Sequence, residues 1–576
     1  MGMFFNGRYY VSPTVASAVD DSAMFDQGAS VGNTLLLIGQ STGGLPNTPL
    51  SFGSPAEAIA TLRSGELMEA CRKAFSPSNE TGGPSKVIAI RVNPAVQSTM
   101  QLLDAQGTPT IALTSKDAGL YTSQIKVKIE NATLNGLKLT QQLAQNYTAQ
   151  DNVFRNAFSV QYNGVQASAA MTVTESSVTL FAPSGTQVAS IDLTQFPTVG
   201  QLADRINGVT IAGVQPFSAT VLDGNSNAPA LNGLDAATTV DVKTAAYTAT
   251  AHVQAVVDYL NSASSPYINA TRLAGSDKVP ALIPFTYLTG GSDGVTTITN
   301  WSNAFTTAQT VDAQWLTPLS SNAAIAAMAD AHVQYMSTIA FMERRSVVGT
   351  ALGTTDAAGV LAAKAINSDR TGLVHLGYYS YDVNGNYTLF QPYMTAALVA
   401  AGFSGLSPGE AMTNKSLTVS GFERVLRNPT DTDALIQGGV IPVESNSRGY
   451  MVTKSISTWL TNKNYNRVEL SCGAALDYVS RTVRDAIQPM LGKGGTPLNL
   501  SAILARADTA LRLCATAAPA GPGVLVGDAK NPAYKNLTAQ LNGDRVSVSF
   551  QGSPVIPINY EDVTIHAVPY SGTASA

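Results

Sequence analysis

The sequence predicts an α/β multidomain protein: a mostly parallel sheet core with helices on both faces, discontinuous in the chain. Inserted β-rich domains interrupt it, and extended arms leave at both ends. Three observations carry this. Short apolar runs bounded by glycine alternate with helical stretches over residues 33–93 and again from about residue 280. That is the pattern of parallel strands buried on both faces. Between them, residues 105–270 turn to Thr, Ser, Ala, Gln and Asn with short alternating pieces, which suit half-buried antiparallel strands. The length, 576 residues, suits about three or four domains.

Taken in order, residues 1–30 form an N-terminal arm. Phe4-Phe5 and Tyr9-Tyr10-Val11 precede a small, polar stretch that needs a partner surface. Residues 31–104 are the first part of the core. Thr34–Ile38 is a continuous apolar strand, and Lys86–Val92 is the next. Between them Ser54-Pro55-Ala56-Glu57 reads as a helix start, with Ser54 as cap, Pro55 in the first turn and Glu57 closing a capping box. Gly65 is a break in that helix. Residues 105–270 form the inserted outer β-rich region, with strands such as Ile125–Ile129 and Met171–Thr174 and a helix from about Thr198 to Ile206.

Residues 271–470 are the second part of the core. A helix over Ala323–Met336 leads into a strand at Thr338–Met342, and a helix over Asp356–Asn367 leads into Leu373–Gly377. Helix–strand alternation at this spacing implies parallel strands joined by crossovers. Residues 471–576 are a C-terminal region. Leu476, Val479, Val483 and Ile487 recur three or four apart on one helix, a second runs from Ser501 through Leu511, and two alternating strands close the region, Val546–Phe550 and Val563–Val568.

Composition narrows the function. The net charge of −5 argues against a nucleic-acid binder, which carries a basic stripe, and against a polybasic membrane-surface protein. No run approaches the roughly 18 apolar residues of a membrane span; Ala396–Ala401 is among the longest. The opening residues have no basic segment followed by an apolar core, so no secretory signal is expected. Cys71, Cys472 and Cys514 fit no zinc or redox spacing and read as reduced thiols. Charged residues are only 13 % of the chain, about half the usual share of roughly 25 %. Either an Ala/Thr-rich monomer or a surface largely covered by copies of itself would have this composition.

The chemical motifs are weak. Gly39-Gln40-Ser41-Thr42-Gly43 matches the G-x-S-x-G nucleophile elbow after a buried strand, but Gly44–Pro49 is turn material where the elbow needs a helix. The same glycines lack the lysine of a P-loop. His252, His332, His375 and His566 form no metal-ligand pair, and His332 and His375 read as satisfied core histidines. Leu288–Gly294 reads as a structural turn, and Glu343-Arg344-Arg345 and Asp431-Thr432-Asp433 read as solvated faces. No catalytic residue, cofactor or metal is expected, and the serine-hydrolase alternative rests on Ser41 alone.

Several pieces in order carry a resemblance: the Tyr-rich arm, Leu36–Pro49, Phe52–Ala58, Arg63–Leu67, Ile90-Arg91-Val92, Ser115–Tyr121 and Leu288–Gly294. Together they resemble the contractile tail sheath proteins of myovirus-type bacteriophages. The resemblance covers about residues 1–130 and 280–570; the middle insertion is of a kind that varies in this family. It implies a structural, non-enzymatic subunit of a virion, assembled in the host cytoplasm. Copies would form a helical array of hexameric rings around a tail tube, in contact with baseplate and neck or tail-terminator proteins. It implies neither direct nucleic-acid binding nor membrane insertion, and contraction would drive the tube through the host envelope for genome delivery. The arms would add strands to neighbouring copies, with Tyr9, Tyr10, Val11, Val546, Val548, Phe550, Val563 and Ile565 as linking positions. Arg481, Arg484 and Lys493 are the candidate tube contacts. The sheath of a related contractile injection particle is the neighbouring alternative.

Overall fold

The structure is a computed structural model. It describes residues 3–5, 8–10, 34–273, 278–518, 520–570 and 572. The chain is a mixed α/β molecule with several sheets, and labels below number the core and C-terminal elements only.

The first core strand, β1 (Thr34–Gly39), is wholly buried from Leu35 to Ile38. A run apolar on both faces can be satisfied only inside a sheet covered on both sides. β2 (Pro49–Phe52), α1 (Pro55–Leu62), α2 (Glu66–Ala74) and β3 (Lys86–Arg91) follow. Ser54 Oγ accepts the Glu57 N–H and caps α1. The Glu57 carboxylate accepts the N–H of Gly53, not that of Ser54, so the expected box is shifted by one residue. Gly65 does separate two helices. Its φ is +102°, and a Cβ there would lie 3.0 Å from Ser41 Cα.

After the insertion come α3 (Ile298–Ala308), β4 (Trp315–Pro318), α4 (Ala323–Thr338), β5 (Arg345–Gly349), α5 (Asp356–Ile366), β6 (Thr371–Val374) and α6 (Pro392–Gly405). The sheet order is β6-β5-β4-β1-β3-β2. All neighbours are parallel except β2, which is an antiparallel edge on β3. The order reverses between β1 and β4, as in doubly wound sheets. α2 and α6 pack on each other and on the sheet, and α4 bridges α3 and α5 in a second helical group. α6 is buried on every side from Pro392 to Ser404. This accounts for Ala396–Ala401, since a helix apolar all round belongs inside a core.

Two expected strands are corrected. Thr338–Met342 is the end of α4 and an exposed bend, with Phe341 59 % exposed at φ +55°. The strand is the next segment, β5, which begins at Arg345, inside the charged run whose composition suggests a solvated face. Glu343, Arg344 and Arg345 are all buried, because each charge has a partner. Arg344 donates to the carbonyls of Ala308 and Val311. Arg345 pairs with Asp477 at 2.9 Å, and Glu343 pairs with Arg481 and Arg484. Val563–Val568 forms no strand; the chain there is irregular, with Val563 and Ile565 82 % and 85 % exposed. A strand needs a neighbour for its backbone groups, and this segment has none among the described residues.

The insertion has two cores. One joins the strands Thr99–Leu103, Pro109–Ser115 and Ile268–Arg272 to a second sheet of Lys126–Asn131, Leu137–Leu143, Asn146–Val153 and Ile283–Tyr287, with the helix His252–Asn261. The other lies within residues 156–250: two antiparallel sheets around Phe158, Met171, Leu180 and Phe217, closed by the helix Val199–Asn207. Thr198 caps that helix with a full capping box to Gln201.

Candidate assembly surface

The C-terminal elements build the surface. α7 (Leu470–Ile487) and α8 (Pro497–Ala515) pack together, and the hairpin β7 (Tyr534–Asn542) and β8 (Arg545–Gly552) lies against α8. Their core is separate from that of the sheet. Tyr478, Val479, Val483, Leu511 and Cys514 are buried in it, and Val548, Phe550 and Val555 pack on it. The hairpin is a sheet of two strands only, so among the described residues each strand has an outer edge with unpaired backbone groups. Such edges accept another strand. A groove of about 700 Å³ opens between the hairpin and the turn joining the helices, lined by Ile487, Met490, Leu491, Lys493, Leu541 and Val546 among others.

Beyond the hairpin the chain turns back. Val526 N–H donates to Ser553 O, and Val555 N–H to Val524 O. From Tyr560 to Tyr570 every residue is exposed, Tyr560, Val563, Ile565, Val568 and Tyr570 included. Large apolar side chains in such density form an exposed apolar patch of the kind that interaction sites present.

α7 is held to the core sheet by a charged seam. The Asp477 carboxylate receives Arg345 Nε at 2.9 Å and two bonds from Arg370 at 3.0 Å. Arg481 pairs with Asp312 at 3.0 Å and donates to Glu343 O. Arg484 pairs with Glu343, donates to Phe341 O at 2.7 Å and lies over the Phe341 ring. Of the three candidate tube contacts, Arg481 and Arg484 are thus engaged within the chain, and Lys493 is exposed beside the groove. Val546, Val548 and Phe550 lie in β8, the last two facing the chain's own core. Tyr9 and Tyr10 lie in a short strand, Arg8–Tyr10, paired with Met3–Phe5. Val11 is outside the described residues.

The glycine-rich motifs resolve as one junction, and its key residue was not singled out from the sequence. Arg91, at the end of β3, is fully buried. Its guanidinium donates to Gly44 O and Ala118 O at 2.7 Å, to Asn93 at 3.0 Å and to Asp293 at 3.0 Å. It therefore ties the Gly39–Gly44 turn, the 118 turn and the Leu288–Gly294 turn together. Burial lowers its pKa, and Asp293 works against that shift. Ser41 is buried, and its Oγ donates to Gly43 O at 2.8 Å. His375 is buried on Asp356 at 2.8 Å, and His332 on Arg344 at 3.1 Å. An arginine closing a strand leaves no signal unless its acceptors, here from distant turns, are known.

No protein-family profile matches the chain. The tail sheath protein of Bacillus phage SP01 is 27 % identical over 595 residues, 99 % of this chain and 98 % of that one. The putative tail sheath protein of Enterococcus phage phiEF24C is 28 % identical over 500 residues, covering 81 % and 82 %. The chain resembles phage tail sheath proteins over nearly its whole length. In fold it is similar to the sheath tail protein of Listeria innocua, with a TM-score of 0.57 at 13 % identity, covering 92 % and 93 % of the two chains. A sheath tail protein from Desulfitobacterium hafniense gives 0.53 at 12 %, covering 95 % and 96 %.

Proposed function

We propose that this chain is the sheath subunit of a contractile phage tail. Copies stack as hexameric rings around a tail tube, meet baseplate and tail-terminator proteins at the ends, and form part of the virion after assembly in the host cytoplasm. The observation that carries this is the likeness to tail sheath proteins over 99 % of the chain. The open two-stranded hairpin and the exposed apolar tail supply the chemistry. A tail from one copy, with Val563 and Ile565 on it, pairs along the free edge of a hairpin on the next; the N-terminal arm with Tyr9, Tyr10 and Val11 pairs in the same way. Main-chain hydrogen bonds then link copies, and flexible connections let the bodies rotate while the links persist. Lys493, beside the groove, is the remaining exposed candidate for the tube.

Contraction on this reading is a bistable change of interfaces. An extended lattice gives way to a compact one with more buried surface, and the free energy released per copy, summed over the array, drives the tube through the host envelope. Negative-stain electron microscopy of the purified chain, before and after concentration, tests this. Hollow striated cylinders of one width are expected. Small particles that stay monodisperse even with a tail tube present as template would refute it.

A further inference from the structure

The exposed tail does not simply trail from the hairpin. Glu469, which precedes α7, is 1 % exposed. Its Oε1 accepts Asn559 Nδ2–H at 2.9 Å and lies 3.5 Å from Lys454 Nζ. Lys454 Nζ in turn donates to Tyr560 Oη at 3.4 Å and sits 5.2 Å over the Tyr560 ring. Three separate parts of the chain meet here: the 454 segment, the start of α7 and the tail. Glu469 is itself fixed by its backbone, through a bridge to Ile456 and a bond to Tyr465 O. After these contacts the tail is exposed.

Two further atoms complete the picture. Among the described residues, neither Oε2 of Glu469 nor Oδ1 of Asn559 has a hydrogen-bond partner, though both are buried. Both are acceptors, on two side chains already joined by one bond. Leaving buried acceptors unmet is costly. A proton on Glu469 gives the pair the donor that it lacks, and an acid facing an amide can then bond twice. Burial favours that neutral form, against the pull of the Lys454 ammonium and the Asn559 amide.

We propose that Glu469, with Lys454, is a clasp that grips Asn559 and fixes the root of the C-terminal arm. The linking part of the arm then begins at Tyr560 and leaves every copy from the same point and in the same direction. This rests on the reading of the tail as an intersubunit strand. A strand handed over from a fixed root spans one set distance, whereas a loosened root adds the 556–560 segment to a flexible linker and lowers the effective concentration of the strand at its target.

Hydrogen exchange on the full, unassembled chain tests the clasp without requiring assembly. Glu469→Ala and Asn559→Leu should speed exchange in the 553–560 peptides about ten-fold or more, read at Ser553 and Val555, whose amides are bonded to Ala533 O and Val524 O at the root of the tail. Glu469→Gln carries a permanent N–H donor and should keep wild-type exchange there. Peptides from α8 report on folding. Should Glu469→Ala disturb them, Asn559→Ala, on the tail side, carries the test. Unchanged exchange at 553–560 in the Asn559 variants would overturn the clasp, and Glu469→Gln as loose as Glu469→Ala would overturn the neutral form. Microscopy of the wild type separately decides the sheath reading, so the two can fail independently.

Discussion

Asp477 is the residue on which the joint between the helical hairpin and the sheet most depends. Its carboxylate serves two arginines, Arg345 at the start of β5 at 2.9 Å and Arg370 just before β6 at 3.0 Å, and the three side chains are only 14 %, 5 % and 15 % exposed. Asp477→Asn keeps the shape and removes the charge. Arg345 retains one bond to Asp369 O but has no room to move outward, because its guanidinium lies where a Cβ of Gly473 would stand. Removing one partner of a buried pair costs about 3–5 kcal/mol. Arg370 is partly wetted, which puts the cost near the lower end, about 3 kcal/mol. At roughly 1.4 kcal/mol per factor of ten, amides of residues 474–487 should lose protection from hydrogen exchange by roughly a hundred-fold, as α7 opens locally from the sheet. The triple variant Arg345→Met, Arg370→Met, Asp477→Leu should regain most of that protection, since apolar replacement of a whole buried charge group is often neutral or stabilising. A change under about three-fold in Asp477→Asn would refute the reasoning, as would a triple variant no better protected than the single.

Further outcomes follow from other contacts. His332 is buried beside Arg344, and burial, then that positive charge, lowers its pKa to about 3. It is neutral in the fold and protonates only in the unfolded chain as pH falls below about 6.5, so stability is lost on acidification; between about pH 7 and 4.5 the loss is about 2.5 kcal/mol. His332→Gln should flatten that part of the acid unfolding curve, and an unchanged slope would exclude the residue as its source. Arg91→Lys replaces a four-acceptor fork by a point charge, and exchange at 40–47 and 288–294 should rise together about ten-fold; a rise in only one segment would mean that Arg91 does not join the turns. A chain ending at Tyr560 should stay folded by circular dichroism and form no cylinders, whereas cylinders of normal width would remove the tail from the linkage. Ser41, buried and donating to Gly43 O, should remain unlabelled by a fluorophosphonate probe. Labelling that Ser41→Ala abolishes would reopen the hydrolase reading.

What was legible in the sequence was whatever local chemistry decides. Leu35–Ile38, the Ser54-Pro55 start, the Gly65 break and the helix from about Thr198 to Ile206 each carry their own signal, and each stands where it was expected. The errors fell where distant partners decide. Thr338–Met342 looks like a strand and Glu343-Arg344-Arg345 like surface until Asp477, Arg481 and Arg484 arrive from more than a hundred residues away. The same holds for Arg91, whose acceptors come from three turns. Val563–Val568 has the alternation of a strand, but alternation specifies a face, and the face needs a neighbouring strand that the described residues do not supply.

The low charge content and the buried charges belong to one argument. Charged residues are 13 % of the chain, and several lie inside: Arg91, Glu343, Arg344, Arg345 and Glu469 are each 5 % exposed or less. Those five charges are withdrawn from the outer surface. Hydroxyls and amides cost less to desolvate than ions do, so such a surface can meet, part from and re-meet other copies at small penalty. On the proposed sheath reading, that is what exchange between two lattices would require of the outside of a subunit. The inside needs the opposite property. Only one seating of α7 gives Asp477 both of its arginines and Glu343 both of its own, and apolar packing alone, being non-directional, would not choose it. On the proposed sheath reading the charges hold each body rigid while the surfaces between bodies change, and the triple variant Arg345→Met, Arg370→Met, Asp477→Leu separates the two roles: it should keep the joint stable while freeing its register, visible as cylinders of irregular pitch.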